Sequence, residues 1–374
     1  MIYYWIISYC IMFLAFFEIN NKDQPGRNSK LITLYFFIMM TISMIVFAGV
    51  RGINSGIDDH QYIDFFNQAS PGMGLFDFDQ VKNDYRYESF FLYLAYLISS
   101  FTRNGYVFIF IIALISVSIN AITYKKASNL ILVSLSIYSA HLFINKDMNQ
   151  IRFGLSSAFG MLSILFLLER RWFYAIAFLI LSSQSHSTGY ALLLFIPFIF
   201  FPRNKYIPIY MFLAAIPIGI IGGKSLILDH VSLFSNLAGR VNSYEGTEFD
   251  TVIPVFSLGN IKNIVFICLY VYFVFDGKKV SNENRIAYGL IVFYAIGASV
   301  RVTFSDFSII GGRVGNLFLQ VEPIVLSLII YKIKNKYLGM LFLFGVVTYY
   351  LLYNTVLSVQ SITGYDISPY FDLF

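Results

Sequence analysis

The chain has 374 residues, of which 57% are hydrophobic and 13% charged, with a net charge of +5 and a mean hydropathy of +0.68. A soluble domain carries about 25% charged residues. The apolar residues here also come in long blocks, so a soluble globular domain is excluded and the chain reads as an all-α polytopic membrane protein. Cys10 and Cys268 both lie in apolar runs. They exclude a disulfide framework and any zinc spacing, and read as small apolar packing residues. The N-terminus lacks the basic region and small-residue cleavage site of a signal peptide.

A helix needs about 20 apolar residues to cross a bilayer, and fewer where the membrane thins. In chain order the expected spans are Ile2–Phe17, Leu31–Val50, Tyr106–Tyr124, Leu130–Ile144, Phe153–Leu168, Trp172–Ser183, Gly189–Phe201, Tyr206–Gly222, Ile261–Phe275, Ile286–Val302, Val314–Tyr331 and Tyr337–Tyr353. The block Phe90–Phe101 is a further candidate, and the positive-inside rule decides it. The short basic connectors are 21–30, 125–128, 169–171, 202–205, 276–285 and 332–336. With Phe90–Phe101 left out, all of them fall on one side, the cytoplasm. Counted as a span, it throws the first connector to the other side. It therefore reads as a helix along the outer interface, with Tyr85, Tyr87 and Tyr93 nearby as interfacial anchors. The expectation is a single integral membrane domain over 1–374, with about twelve spans and both termini outside. Two long outer loops, 51–105 and 223–262, complete it. There is no soluble domain, no nucleotide-binding loop and no heptad array.

The outer side holds Arg51, Arg86, Arg103, Arg152, Arg240, Arg301 and Arg313. Arginine presents a rigid fork of donors that matches phosphate and carboxylate oxygens. Arg51, Arg152, Arg301 and Arg313 fall at expected outer helix ends, where charge is expensive unless paired. Each could pair with an outer acid or a lipid headgroup. Several together read as an anion site at the membrane surface.

The stretch GIDDHQY (56–62) supplies acids. Helical spacing puts Asp58, Tyr62 and Phe65 on one face, and Asp59 and Phe66 on another. Either acid can cap a helix running to about Gln68. Either can also serve as a base whose pKa is set by burial and a nearby arginine. Asp58, Asp59 and His60 are all plausible metal ligands, but adjacent side chains rarely converge. His186 lies in a polar break between two short spans, tolerated only against protein or a water-filled cavity. His141 and His230 read as structural. Glu322 falls inside the membrane and should pair with a neighbour or line a cavity.

These residues resemble the EpsG/Wzy-type polysaccharide polymerases. GIDDHQY resembles their G-T-D-x-x-x-Y segment, with Arg51 just before it. ESFF (88–91) partly matches an E-P-G-F element, and NQIRFGLSSA (149–158) resembles N-x-x-R-Q-G-L-A, which aligns Arg152. SHSTG (185–189) resembles F-H-x-S-A, aligning His186, and GGRVGNLF (311–318) resembles an R-x-x-x-Y/F element, aligning Arg313. Ile57, Ser89 and Phe153 depart from the family's Thr, Pro and Gln.

The resemblance, covering about Leu31 to Tyr331, implies a repeat-unit polymerase of O-antigen or capsule synthesis. It implies a GT-C-like architecture in a bacterial inner membrane, with the active site facing the periplasm. Donor and acceptor would be oligosaccharides linked to undecaprenyl diphosphate. A chain-length regulator and a flippase in the same membrane are the implied partners, and nucleic acid is not one. Asp58 or Asp59 would take the acceptor proton, with His186 as the other base or as a phosphate donor. Arg152 and Arg313, with Arg51 as a weaker candidate, would stabilise the leaving diphosphate. Tyr62 and Glu88 would help bind substrate. Because the lipid diphosphate is already activated, no nucleotide, metal or other cofactor is expected, and displacement with one base predicts inversion. Alternatives are a lipid-linked oligosaccharide flippase or exporter, an O-antigen ligase, and a membrane O-acyltransferase. A ligase would gather its arginines and histidine in one late outer loop, and an O-acyltransferase would place a histidine deep within a span.

Overall fold

A computed structural model describes residues 1–23, 26–69, 78–85, 87–224, 252–357 and 364–371. Arg86, His230 and Arg240 lie outside the described residues, as does most of the second expected outer loop. Among the described residues the protein is helical, with extended pairing confined to two isolated bridges. The chain groups into two compact units. The first comprises 1–190 and 330–374, and the second comprises 191–329.

In the first unit, α1 (Ile2–Asn20), α2 (Arg27–Gly49), α6 (Gly105–Ala127), α7 (Ile131–Ala140), α8 (Ile151–Leu168), α9 (Trp172–Ser185) and α15 (Lys336–Leu352) make up the bundle. α1 packs on α7 and α15, α2 on α6, and α8 on both α6 and α9. Three short helices, α3 (Asp59–Ala69), α4 (Phe78–Tyr85) and α5 (Ser89–Ser99), lie between α2 and α6. In the second unit, α12 (Arg285–Thr303) packs on α10 (Ile207–Ile221), α11 (Leu258–Val274) and α13 (Ser308–Phe318). α14 (Glu322–Lys332) leads back into the first unit.

Among the described residues, seven helices are long and apolar enough to cross a membrane, and six are shorter apolar helices. The protein is thus a multi-pass membrane protein. Each expected span has its apolar helix, but five fall short of the length and composition that mark a crossing. One of the five is unusual. Ser187–Ile199 is a 3₁₀-helix of 13 residues. At a rise of about 2.0 Å per residue it reaches about 26 Å, against about 20 Å as an α-helix. The tighter helix nearly matches a hydrocarbon core of about 30 Å. α5, by contrast, has 11 residues and extends only about 16 Å. Its Phe91, Leu92, Ala95 and Ile98 are buried in a cluster with Phe65, Phe66 and Phe108, while Tyr93 and Leu97 are exposed. That amphipathic face agrees with a helix lying along an interface.

Side-chain contacts sort the ends of the first unit. At one end Lys22 donates to the carbonyls of Ile330, Tyr331 and Ile333, covering the last turn of α14. One turn earlier, Glu18 accepts from the first backbone N–H groups of α7, at Ile131, Leu132 and Val133. Lys336 reaches Asn20 O, and Lys126 pairs with Glu169 at 2.7 Å. The connectors 21–30, 125–128, 169–171 and 332–336 therefore gather together. At the other end Tyr4 Oη donates to Gly364 O, Gly52 N to Asp366 O, and Ser368 N to Val50 O. In the second unit the connectors 202–205 and 276–285 also meet, through the Asn204–Lys279 bridge and Arg203–Asn282. Cys10 and Cys268 are unpaired and sit on exposed helix faces, not in packed interiors.

Candidate active site

The site forms at the end of the first unit opposite the basic connectors. Asp58 holds the N-cap position of α3, where its carbonyl accepts from Tyr62 N. Asp58 N in turn donates to Asn149 Oδ1 at 3.2 Å, tying this loop to the chain just before α8. Asp59, the first residue of α3, faces the other way. It takes a bidentate set of bonds from Arg51, at 2.8 to 3.1 Å, and both side chains are 0% exposed. Arg51 Nη1 completes its bonding on Ala48 O, in the last turn of α2, and Gly56 N donates to Asp59 Oδ2 at 2.7 Å. The two neighbouring acids thus have different environments: Asp59 is sealed in an ion pair and Asp58 is half-exposed. Arg51 turns inward, toward Asp59 and helix α2.

Gly56 makes this turn possible. A Cβ there would overlap the Met148 carbonyl oxygen and press on the Asp59 carboxylate. Gly56→Ala is expected to displace the loop from α8 at a cost of about 1–3 kcal/mol, read as a lower unfolding midpoint of the purified protein. An unchanged midpoint would contradict this close approach.

Around Asp58 stand groups from three other segments. Arg152, in the first turn of α8, donates to Glu88 Oε2 at 2.8 Å, stacks 4.0 Å from the Tyr87 ring centroid and lies close to the Tyr62 hydroxyl. Its Nε has no partner. Glu88 precedes α5, and its second oxygen accepts from Ser187 N at 2.8 Å. One carboxylate thereby joins α8 to the break before the 3₁₀-helix. His186 sits in that break, edge-on to Phe153, with Nδ1 accepting from Thr188 N at 3.2 Å. A ring nitrogen that accepts carries no hydrogen, so neutral His186 has its proton on Nε2. Burial pushes the Tyr62 phenol up to about 12, and the charges of Arg152 and Asp58 act on it in opposite directions. Tyr62 therefore stays a neutral donor.

Arg152 occupies the positive end of a helix, where a cation is disfavoured and an anion welcome. Beside it lie an unpartnered Nε and an Nε2–H histidine. This arrangement suits an anionic group with a carboxylate close by.

Of the expected residues, the structure brings together Asp58, Tyr62, Glu88, Arg152 and His186. Arg51 and Asp59 pair with each other beside them. Arg313 is exposed on α13 in the second unit. His60 is exposed and pairs with Asp64 at 3.2 Å, so Asp58, Asp59 and His60 diverge. Sequence reasoning missed Asn149, Lys146 and Asp147. Lys146 donates to Ser157 Oγ, and Asp147 accepts from Tyr138 Oη at 2.6 Å and from Ser116 Oγ. Asn149 was signalled as the first residue of NQIRFGLSSA, and the other two only by a Lys-Asp pair between apolar runs.

The geometry sits on the motif positions, and the sequence matches the EpsG family over residues 34–371. The chain belongs to the EpsG family. It is 50% identical over 372 residues to the amylovoran biosynthesis protein AmsC of Erwinia amylovora, with 99% of each chain covered. No solved structure matches. The EpsG match extends past Tyr331 to the C-terminal segment 364–371, which contacts Val50, Gly52 and Ser55 next to the site.

Proposed function

We propose that this EpsG-family protein is a polysaccharide repeat-unit polymerase with about twelve spans and a GT-C-like arrangement, acting at the outer face of the bacterial inner membrane. The donor is a growing glycan on undecaprenyl diphosphate and the acceptor is a hydroxyl of one lipid-linked repeat unit. The acceptor oxygen bonds to the anomeric carbon as the bond to the diphosphate breaks. Asp58 takes the acceptor proton. Arg152 and the Nε2–H of His186 stabilise the charge growing on the diphosphate. Glu88 holds Arg152 and the His186 segment in register. Tyr62 donates to substrate oxygens, and Tyr87 offers a ring face for a sugar. Arg313 is a further phosphate ligand in this reading. Displacement assisted by one base inverts the anomeric carbon. Arg51 and Asp59 brace the loop.

The observation that carries this reading is the convergence of segments 56–62, 87–88, 149–153 and 186–188. They deliver an acid, an arginine and a histidine to the end opposite the basic connectors. The relative named for amylovoran biosynthesis supports polymer synthesis as the setting. The test is complementation of a strain whose chromosomal copy is deleted, with surface polysaccharide resolved on a gel. Wild type should restore a full ladder, and Asp58→Asn, at equal membrane level, a single repeat unit. A deletion strain that keeps its ladder rules out the polymerase. Loss of even the single capped unit on deletion favours a flippase or ligase.

A further inference from the structure

The chain between α7 and α8 is anchored on three helices. Phe143–Asp147 form a π-helical turn, a form that recurs at functional sites. The turn ends on Asp147, which is buried and accepts from Tyr138 Oη of α7 and Ser116 Oγ of α6. Gly154 of α8 packs on the same carboxylate, since a Cβ there would crowd Asp147 Oδ1 and the Lys146 backbone.

From this anchor, residues 148–152 reach both halves of the candidate site. Met148 O lies against Gly56, Asn149 Oδ1 accepts from Asp58 N at 3.2 Å, and Arg152 pairs with Glu88. Asn149 is buried, and its amide orientation is set, because only the oxygen can accept from a backbone N–H. The Asp58 carbonyl is taken by Tyr62 N, so the backbone of Asp58 is held between α3 and Asn149. The other fastenings of this loop act on its neighbours: Arg51 holds Asp59, and Asp366 holds Gly52 and Ser55. The charges of Asp58 and Arg152 both bear on the phenols of Tyr62 and Tyr87, which places them at one locus.

We propose that Asn149 is a positioning residue of the reaction, which sets the backbone of Asp58 at the distance from Arg152 that glycosyl transfer requires. The role rests on the polymerase reading. In an inverting displacement the acceptor oxygen, the anomeric carbon and the leaving oxygen lie roughly in line. The base must therefore stand on one side of the sugar and the anion donors on the other. Asp58 comes from a segment 91 positions before Asn149, whereas Arg152 follows Asn149 by one helical turn. Asn149 thus carries the register of one group to the other. A misplacement of about 1 Å in such a register can cost about 10²-fold in rate. Asn149 acts through Asp58, not on the substrate.

The test is turnover by the full chain in phosphatidylcholine nanodiscs, with lipid-linked repeat unit extracted from the deletion strain as substrate. Asn149→Ala should lower kcat about 10²-fold and leave KM, the affinity for farnesyl diphosphate and the unfolding midpoint near wild type. An asparagine that only supports the fold would move the midpoint, not kcat alone. Asp58→Asn combined with Asn149→Ala should be no slower than Asp58→Asn, because the group that Asn149 positions is already gone. Should Asn149→Ala fail to fold, Asn149→Ser is read in its place, since its oxygen sits one atom short of the bond to Asp58 N. Wild-type kcat in the folded variant would overturn the proposal. So would losses that add in the double variant, or a fall in kcat matched by a fall in midpoint. A wild type that leaves the extracted substrate unpolymerised would instead discard the polymerase reading.

Discussion

Arg152→Ala is expected to abolish polymer beyond a single repeat unit while leaving the protein in the membrane at near wild-type level. The two halves of this expectation have separate causes. Arg152 pairs with Glu88 at a partly exposed site, where an ion pair contributes about 0–1 kcal/mol. Its loss should not unfold the bundle. Charge stabilisation of a leaving group is far larger, about 10²- to 10³-fold in rate for one well-placed donor. Arg152→Lys should recover part of the activity, since the charge returns without the fork. The measurement is polymer length and yield against immunoblotted protein. Wild-type polymer from Arg152→Ala would remove Arg152 from the reaction.

Asp59→Asn is expected to behave in the opposite way, with loss of folded protein. The change leaves Arg51 buried without its counter-charge, at a cost of about 3–5 kcal/mol. It also weakens the bond from Gly56 N that shapes the loop. Thermal unfolding in detergent should show a lower midpoint for Asp59→Asn and an unchanged one for Asp58→Asn. The pair of variants thus separates a brace from a base. If Asp59→Asn folds normally and makes no polymer, the base is Asp59.

The sequence could not make this separation. Neighbours on a helix point about 100° apart, so the pattern placed Asp58 and Asp59 on different faces without saying which face was inside. That depended on Arg51, whose side chain turns back to Ala48 O instead of outward. The membrane class, a short apolar helix at Ser89–Ser99 and the motif positions of Arg152 and His186 were legible, because hydropathy and motif order each read directly from residues. Glu88 was legible as a site residue, but its bond to Ser187 N was not, since it joins positions 99 apart. Asn149 opened a legible motif, but its bond was hidden for the same reason: its partner is a backbone N–H at Asp58. The 3₁₀ conformation of Ser187–Ile199, which covers more distance per residue than an α-helix, was not legible in the apolar run that marked Gly189–Phe201 as a short span.

The contacts of the C-terminal segment bear on when the outer end can be finished during synthesis. Asp366 O accepts from Gly52 N, Arg51 pairs with Ile367, and Ser55 Oγ reaches Asp366 across 311 positions. The loop that carries Asp58 therefore waits for a strap at 364–371 that is made long after it in translation. A chain truncated before residue 364 would insert its helices yet leave that loop unfastened.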